Sequence, residues 1–469
     1  MSGWTGRRAG KNFRPCYHNL QMKRRHLLLA AAGAFAYGQS GSPGLYAIQN
    51  ATIHTAAGPA IANGTIVVRN GLIEAVGANV PVPAGAWAID GTGMHVYPGL
   101  IDSLSRWGLP APTDGPPRVG VAAPTGGGGR RGGGDEGPSN VQFQDDGGPE
   151  ERPSNTSWVK AADLVQPNDA TLTAARNAGF TTAVVFPATG IFAGQGSVLN
   201  LAGGKAGDMV VSSPVGQFLS MAAVRNGLAS FPGSLMGSFA YIRQIYLDAE
   251  QYKTAKTMYA QNARGLQRPA YDRALEGVLE SPRALLPAGR KVEIDRMIRF
   301  GKELKTPVIL YGGTEAWRAA DSLKAAGVPL LMNLRWPERD RDGDPEVMDS
   351  LRTLETREMA PAGPAALAKA GVKFAFYSGG LERPADVRRA VKKAVDAGLA
   401  NEDALRALTI SAAQIYGVDD RLGSLEPGKI GNLFVTDGDW LAEKTQVKLV
   451  FVDGKKFEPT AGGQTNGPA

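Results

Sequence analysis

Residues 96–102 read Val-Tyr-Pro-Gly-Leu-Ile-Asp, and the chain changes character across this stretch. Before it, short apolar runs alternate with turn residues, a pattern typical of small antiparallel strands. After it, over residues 98–416, buried-strand runs alternate with amphipathic helices, which is typical of a parallel α/β sheet. The heptapeptide therefore marks the point at which a small β-rich region ends and a larger α/β domain begins.

The β-rich pattern returns near the other end of the chain. In the first β-rich region, the Asn70-Gly71 pair between two apolar runs predicts a β-hairpin. Residues 431–436 and 447–452 are strand candidates of the same kind. We therefore predict one small composite β-sheet domain built from residues 45–97 and 417–458.

The middle of the chain alternates strands and helices. The strand candidates are residues 181–186, 307–310, 329–332 and 372–377. The helix candidates are residues 168–178, 291–304, 315–326, 384–397 and 401–413. This alternation over residues 98–416 predicts a (β/α)8 TIM barrel rather than one open sheet.

Two charged segments have simple interpretations. Residues 110–153 are rich in Gly, Pro and Asp, and we expect a flexible insertion there. Nearby carboxylates offset Arg130 and Arg131, which disfavours the alternative of an RGG-type nucleic-acid segment. The alternating Asp340, Asp342 and Asp344 could hold calcium, but a solvated loop is the favoured interpretation because the EF-hand glutamate is missing.

The charge distribution points to a leader segment. The chain has 469 residues, 43% of them hydrophobic and 20% charged, with a net charge of +7. Residues 1–36 hold seven Lys and Arg and no acidic residue, so the rest of the chain is close to neutral. Their basic Met22-Lys23-Arg24-Arg25 run, apolar stretch and Ala34-Phe35-Ala36 site predict a cleaved signal peptide.

The predicted leader implies a periplasmic or extracellular protein, through the Sec route or, by the loose Arg24-Arg25 match, the twin-arginine route. An uncleaved anchor is the alternative, but ten apolar residues are too few to cross a bilayer. The leader contains Cys16, the only cysteine, together with His18 and His26. The mature chain would therefore have no thiol and only two histidines.

Three segments together resemble the amidohydrolase superfamily, specifically its imidazolonepropionase-like branch. They are residues 96–102, residues 407–418 (Ala-Leu-Thr-Ile-Ser-Ala-Ala-Gln-Ile-Tyr-Gly-Val) and residues 422–433 (Leu-Gly-Ser-Leu-Glu-Pro-Gly-Lys-Ile-Gly-Asn-Leu). The resemblance spans nearly the whole mature chain and implies a (β/α)8 barrel with a small sheet domain from both ends. It also implies a divalent metal, usually zinc, that activates water to hydrolyse amide and other C–N bonds.

The metal ligands that the resemblance implies are missing. Where the family has a His-x-His pair, this chain has Ser103 and Ser105, and the aspartate expected after Ser378 is Gly379. The remaining matched positions, the bridging lysine and the histidines of strands five and six, are Asn200, Pro287 and Tyr311. Since only His54 and His95 remain after the leader, an imidazole-rich zinc site inside the barrel is not expected.

The same histidine count disfavours other catalytic arrangements. A Ser-His-Asp triad needs a histidine base, and His95 precedes the first barrel strand. Candidate ligand-binding residues at strand ends are Asp102, Arg335 and Ser378. Asp102 is interpreted as structural, and Arg335 either binds an anion in the barrel mouth or pairs with a surface aspartate, the second being favoured.

Two function hypotheses follow. The first is an exported amidohydrolase relative that lacks the metal site, has no cofactor and acts as a binding or partner subunit. The second is an active hydrolase of C–N bonds that uses a histidine-free site. For the first we expect a homodimer or a heteromer with a metal-bearing relative, since a neutral chain is little repelled by its own copies. DNA is not expected as a partner, because it requires clustered Lys and Arg.

Overall fold

The computed structural model describes residues 44–111, 152–221, 224–226, 229–232, 234–339, 346, 348–381 and 383–459. The predicted leader, nearly all of the predicted insertion and the Asp340, Asp342 and Asp344 loop lie outside these residues. Within them, no helix is both long enough and apolar enough to cross a membrane.

The described chain contains twenty strands. In chain order they are β1 Leu45–Ile53, β2 Ile61–Arg69, β3 Leu72–Gly77, β4 Trp87–Asp90, β5 His95–Pro98, β6 Leu100–Ser105, β7 Phe180–Val185, β8 Phe192–Gln195, β9 Ser197–Asn200, β10 Val210–Ser212, β11 Gln217–Leu219, β12 Val224–Asn226, β13 Ala229–Phe231, β14 Ala284–Ala288, β15 Val308–Gly312, β16 Leu330–Asn333, β17 Phe374–Tyr377, β18 Leu433–Thr436, β19 Val447–Val452 and β20 Lys455–Phe457.

Eleven α-helices accompany these strands in the described residues. They are α1 Ala170–Asn177, α2 Ala206–Met209, α3 Leu235–Gln261, α4 Arg273–Glu280, α5 Lys291–Glu303, α6 Ala320–Ala326, α7 Leu351–Met359, α8 Gly363–Ala370, α9 Asp386–Asp396, α10 Asn401–Ala407 and α11 Ile410–Tyr416. Short 3-10 turns occur at Ala161–Leu164 and Ala316–Arg318.

Strands from both ends of the chain form one sheet, the terminal sheet, in the order β20-β19-β18-β5-β1-β2-β3 with β4 beside β1. Its two halves join where β18 runs antiparallel to β5, pairing Phe434 with Tyr97. The hairpin at Asn70-Gly71 connects β2 and β3, and both turn residues have positive φ (50° and 86°). That geometry is the type I′ turn for which Asn-Gly is preferred, because it matches the twist of the two strands.

Two further sheets form the central part of the molecule. The first central sheet has the order β10-β9-β7-β6 and the second has the order β17-β16-β15-β14-β11-β8. In the second central sheet, the ladders that join β11, β14, β15, β16 and β17 are parallel. By contrast, β8 pairs antiparallel with β11, and β9 pairs antiparallel with both β7 and β10. The structure is therefore mixed α/β, and no ladder in the described residues joins β6 to β17 to close a barrel.

Helix α5 shows why the helices pack as they do. Ile294, Met297 and Ile298 are buried along one face, while Arg299 on the opposite face is exposed. The Glu293 carboxylate accepts the backbone N–H of Arg290, which stabilises the first turn. The apolar stripe recurring at three and four residues thus covers the sheet, and the charged face remains in solvent.

The helix predicted over residues 401–413 is two helices, α10 and α11. The chain leaves helical geometry at Thr409, whose φ and ψ are −136° and −101°. The carbonyl of Leu408 at this break accepts the backbone N–H of Ile101 at 2.7 Å. The break therefore satisfies a donor of β6 that no neighbouring strand takes at this position.

Asn432 links the terminal sheet to the first central sheet. It is buried, and its Nδ2 donates to Asn200 Oδ1 at 2.8 Å and to Thr182 Oγ1 at 3.1 Å. Its Oδ1 accepts the Asp453 backbone N–H at 2.7 Å, and its carbonyl accepts the Gly99 N–H at 2.9 Å. One residue thus binds polar groups at four other positions, three through its side chain and one through its backbone carbonyl.

Replacing Asn432 by alanine should lower the free energy of unfolding by about 2 kcal/mol or more, because the buried Asn200 and Thr182 oxygens and the Asp453 N–H would lose their partner. Urea denaturation followed by circular dichroism measures the change. Asn262→Ala is the control, since Asn262 is exposed at the end of α3, and a shift within about 0.5 kcal/mol is expected there. Equal midpoint shifts for the two variants would contradict the linking role of Asn432.

Candidate functional site

Side chains from the two central sheets and from α11 form one buried group, which we call the inner cluster. Its members include Ile101, Val184, Phe186, Val198, Phe218, Leu285, Ile309, Tyr311, Leu331, Ala375, Tyr377 and Tyr416. The aromatic members pack closely, with ring centroids 5.0 Å apart for Phe218 and Tyr311 and 5.7 Å apart for Phe186 and Phe218. Aromatic side chains therefore occupy the space between the two sheets.

Tyr311 of this cluster lies beside Pro287. They are register partners on the adjacent parallel strands β15 and β14. The Tyr311 hydroxyl donates to the Leu219 carbonyl at 2.9 Å, and burial raises the pKa of this phenol well above its usual value. A neutral, hydrogen-bonded phenol and an imino-acid ring thus occupy two of the positions at which the resemblance implies histidines.

Ser103 and Ser105 on β6 are both buried, and their hydroxyls are engaged by the protein. Ser103 Oγ donates to the Phe376 carbonyl on β17 at 2.7 Å. Ser105 Oγ accepts the Trp107 backbone N–H at 3.0 Å. Tyr416 adds a second contact at this strand, since its hydroxyl donates to the Ser103 carbonyl at 2.7 Å. These hydroxyls connect β6 to its surroundings rather than facing a cavity.

Gly379 follows β17 and has a φ of +58°. A Cβ atom at this position would lie 1.8 Å from Asn333 Oδ1, far inside any contact distance. The same Asn333 oxygen accepts the Arg335 backbone N–H at 2.7 Å. The Asn333 side chain thus fills the space that a side chain at 379 would need, and an aspartate could not be accommodated without moving it.

Asp102 is a buried carboxyl group on β6. It is 1% exposed, and its Oδ1 accepts the Ser378 backbone N–H at 3.0 Å. Its Oδ2 has no hydrogen-bond partner among the described residues, and neither does the buried hydroxyl of Tyr377. Burial raises the pKa of Asp102 to about 7, although the hydrogen bonds from Ser378 and Leu104 favour the ionised form.

The structure brings together Asp102, Ser103, Tyr311, Pro287, Ser378 and Gly379 near the carboxyl ends of the central strands. It does not bring Asn200 to them. Asn200 pairs with Thr182 near the amino end of β7, where it binds Asn432. Arg335 is exposed beyond β16, so the two interpretations that the sequence left open for it, an anion-binding and a surface role, both remain predictions.

The residues present do not fit a zinc ion. In the described part of the chain no three His, Cys, Asp or Glu side chains are grouped so that they could hold a metal. His54, directly after β1, and His95, on β5 of the terminal sheet, pair with each other at 3.1 Å, and burial lowers the pKa of His54. Near Asp102, the hydroxyls of Ser103, Tyr311 and Tyr416 already donate to backbone carbonyls, and hydroxyls are poor zinc ligands.

The sequence did not single out Phe186, Phe218 or Tyr416 as parts of the site. Phe186 ends a predicted strand and Tyr416 lies within a motif already quoted, so both were visible as apolar residues. Nothing in their local pattern shows that they meet across two sheets. Phe218 lies in β11, an antiparallel neighbour of β8 that the alternation of strands and helices does not predict.

Comparison with solved structures supports the fold. An amidohydrolase from Thermotoga maritima MSB8 superposes with a TM-score of 0.69 at 24% identity, covering 88% of this chain and 100% of the other. A prolidase complexed with N-methylphosphonate-L-proline superposes with a TM-score of 0.51 at 16% identity, covering 89% of this chain and all of the other. At these identities the likeness concerns the fold alone.

Sequence comparison supports the same assignment. Residues 293–457 match the amidohydrolase family, a region that runs from α5 through the last strand of the terminal sheet. No curated protein sequence matches the chain. The motifs at residues 96–102, 407–418 and 422–433, the family match and the superposition agree. The match over residues 293–457 and the similar fold therefore support the resemblance to the amidohydrolase superfamily that the sequence predicts.

Proposed function

We propose that this chain is a metal-free member of the superfamily that acts as a binding or partner subunit, with no cofactor. The observation that supports this most directly is the inner cluster, where Phe218, Tyr311 and Tyr377 are all less than 9% exposed. A hydrolytic site needs an open space for substrate and an activated water. In this chain, buried aromatic rings pack against one another at these positions, which disfavours such a site.

The proposal includes a (β/α)8 arrangement of the two central sheets. Ser103 on β6 binds the Phe376 carbonyl on β17, and the Ser378 N–H binds Asp102, so the first and last central strands are neighbours. Export also remains part of the proposal. It rests on residues 1–36, which lie outside the described part of the chain.

The second candidate, a histidine-free hydrolase, is supported by Asp102. A buried carboxyl with a pKa near 7 is the kind of group that serves as a general acid or base. One of the similar solved structures is named a prolidase, an enzyme that hydrolyses a C–N bond. Hydrolysis of a C–N bond is therefore the alternative function. The near-complete burial of Asp102, which is 1% exposed, favours the first candidate, because a general acid or base must reach its substrate.

Elemental analysis distinguishes the two candidates. The chain lacking residues 1–36 is used, so that Cys16, His18 and His26 cannot bind metal. After equilibration with zinc and desalting, we expect well below one zinc per chain, and no turnover of dipeptides or cyclic ureides.

Variants locate any metal or activity that does appear. Zinc lost on His54→Gln would belong to the terminal-sheet pair and would leave the proposal standing. Stoichiometric zinc lost on Asp102→Asn would contradict it. Turnover that survives chelation and is lost on Asp102→Asn would establish the histidine-free hydrolase instead.

The pH dependence of stability tests Asp102 without any assumption about substrate. Its pKa is about 7 in the folded chain and near 3.9 when unfolded, so folding takes up a proton between these values. Stability should therefore rise as the pH falls from 8 to 5, by on the order of 2 kcal/mol, and Asp102→Asn should lack this rise.

Urea denaturation at pH 8 and pH 5 measures the difference, and His54 contributes equally to both proteins. Asp420→Asn is the matched control, since the Asp420 side chain is 71% exposed and the rise should persist. A metal ion at Asp102 would lower its pKa and remove the rise from the parent protein. That result would contradict a metal-free site.

A partner role is supported by an exposed apolar surface at α7. Met348, Leu351 and Leu354 are 93%, 82% and 50% exposed, and no residue of α7 is fully buried. Exposed apolar side chains grouped in this way are typical of protein interfaces. We propose that this surface contacts a second copy of the chain or a metal-bearing relative.

Light scattering at tens of micromolar tests self-association of the chain lacking residues 1–36. We expect a dimer mass, and we expect Leu351→Ser with Leu354→Ser to give a monomer because the apolar contact is removed. Val292→Ser is the control, since Val292 is 59% exposed on a different helix, α5. A monomer mass for the parent chain, with no relative co-purifying from the native host, would contradict the partner role.

A further inference from the structure

A groove with a volume of about 540 Å³ lies between α3 and α5, away from the inner cluster. Each helix contributes four residues. They are Leu235, Met236, Phe239, Arg243, Arg296, Arg299, Phe300 and Glu303. The volume lies within the range of small-molecule sites, which are mostly apolar with a few polar groups.

The floor of the groove is apolar and partly exposed. Phe239 and Phe300 meet edge to face with ring centroids 4.7 Å apart. Beside them, Leu235 is 48% exposed and Met236 is 82% exposed. A ligand covering these side chains would remove apolar surface from water, which favours binding.

The rim of the groove is positively charged. Arg243 binds Glu303 through both carboxylate oxygens, so these two charges offset each other. Arg296 lies over the Phe239 ring, 5.9 Å from its centroid, and Arg299 Nε donates to the Asp295 carbonyl at 3.2 Å. In the part of the chain that the structure describes, no carboxylate lies within 4.0 Å of the Arg296 or Arg299 guanidinium.

The acidic group nearest in sequence is itself engaged. Asp295 accepts Lys291 Nζ at 2.6 Å, on the preceding turn of α5. The groove therefore combines an apolar floor with two guanidinium groups that form no ion pair among the described residues, and the Asp295 carboxylate offsets part of the Arg299 charge only from a greater distance. Guanidinium groups match the geometry of a carboxylate, with which they form paired hydrogen bonds.

We propose that this groove binds an amphipathic monocarboxylate, with the carboxylate at Arg296 and Arg299 and the hydrocarbon on Phe239 and Phe300. A singly charged head suits the site because the cost of desolvating the ligand rises with its charge. The site is separate from the inner cluster. It stands whether or not that cluster has catalytic activity.

Calorimetric titration of the full chain with decanoate, below its micelle concentration, tests the site. We expect saturable 1:1 binding that weakens as sodium chloride is raised, because the contact is ionic and exposed. Arg296→Gln with Arg299→Gln should weaken binding about tenfold or more. Lys302→Gln is the matched control, since it removes a positive charge from α5 outside the groove, and a change within about twofold is expected.

Two further ligands separate charge from apolar contact. Decanamide keeps the chain without the charge, and acetate keeps the charge without the chain, so each should bind about tenfold more weakly or worse. Met236→Ser, at an exposed position, should weaken decanoate without lowering the melting temperature. The proposal fails if decanoate shows no saturable binding up to millimolar concentration. It fails also if decanamide binds equally well, or if the double variant, folded by circular dichroism, binds as the parent does.

Discussion

The hydrogen bond from the Ser378 backbone N–H to Asp102 Oδ1, 3.0 Å long, joins the two central sheets at the point where they are most deeply buried. A carboxylate in such surroundings is expensive to ionise, so this single acceptor sets the electrostatics of the whole interior. Burial likewise raises the pKa of Tyr311, Tyr377 and Tyr416, and the Asp102 charge adds to this at Tyr377 and Tyr416, so all three are neutral phenols. An interior built on neutral donors around one carboxyl differs in kind from a cationic metal centre.

The departures from the family pattern are coupled through space. Gly379 has no side chain because Asn333 occupies that volume, and Tyr311 fills the interior up to the Leu219 carbonyl. Protein interiors are close-packed, so a side chain lost at one position leaves a cavity unless a neighbour fills it. Restoring one family residue here, such as an aspartate at 379, would create a clash with Asn333. Changes that fit together in this way are expected of an interior adapted to packing.

Much of the fold could be predicted from the sequence, for reasons visible in particular segments. The Asn70-Gly71 turn and the apolar stripe of α5 are local signals, and the structure has both features. The resemblance of residues 96–102 to the superfamily segment predicted that β6, with Asp102, is the first of the central strands. By contrast, the 27-residue α3 has no clear apolar stripe, and the antiparallel β8 to β10 break the expected alternation.

The candidate site was harder to predict because its geometry depends on distant contacts. The resemblance implied that Asn200 is a site residue, but Asn200 binds Asn432, which lies more than two hundred residues away in sequence. In the same way, only the fold shows that Phe186, Phe218 and Tyr416 approach one another. Residue types at the positions that the resemblance matches indicate where the chain departs from the family pattern, whereas the packing around those positions is a property of the three-dimensional structure.

The positions of the exposed apolar side chains and of the charged side chains beside them indicate where this protein would bind its ligands. If side chains fill the interior, a ligand has to bind at the outer helices. These helices are not uniformly polar in this protein. Leu351 and Leu354 on α7 and Met236 on α3 are half exposed or more, each costing free energy in water that no core contact offsets. At α3 the apolar surface lies beside Arg296 and Arg299, whereas on α7 Arg352 and Arg357 form ion pairs with Glu315 and Asp349. The two surfaces therefore differ in the ligands they favour, an amphipathic anion at the first and another apolar protein surface at the second.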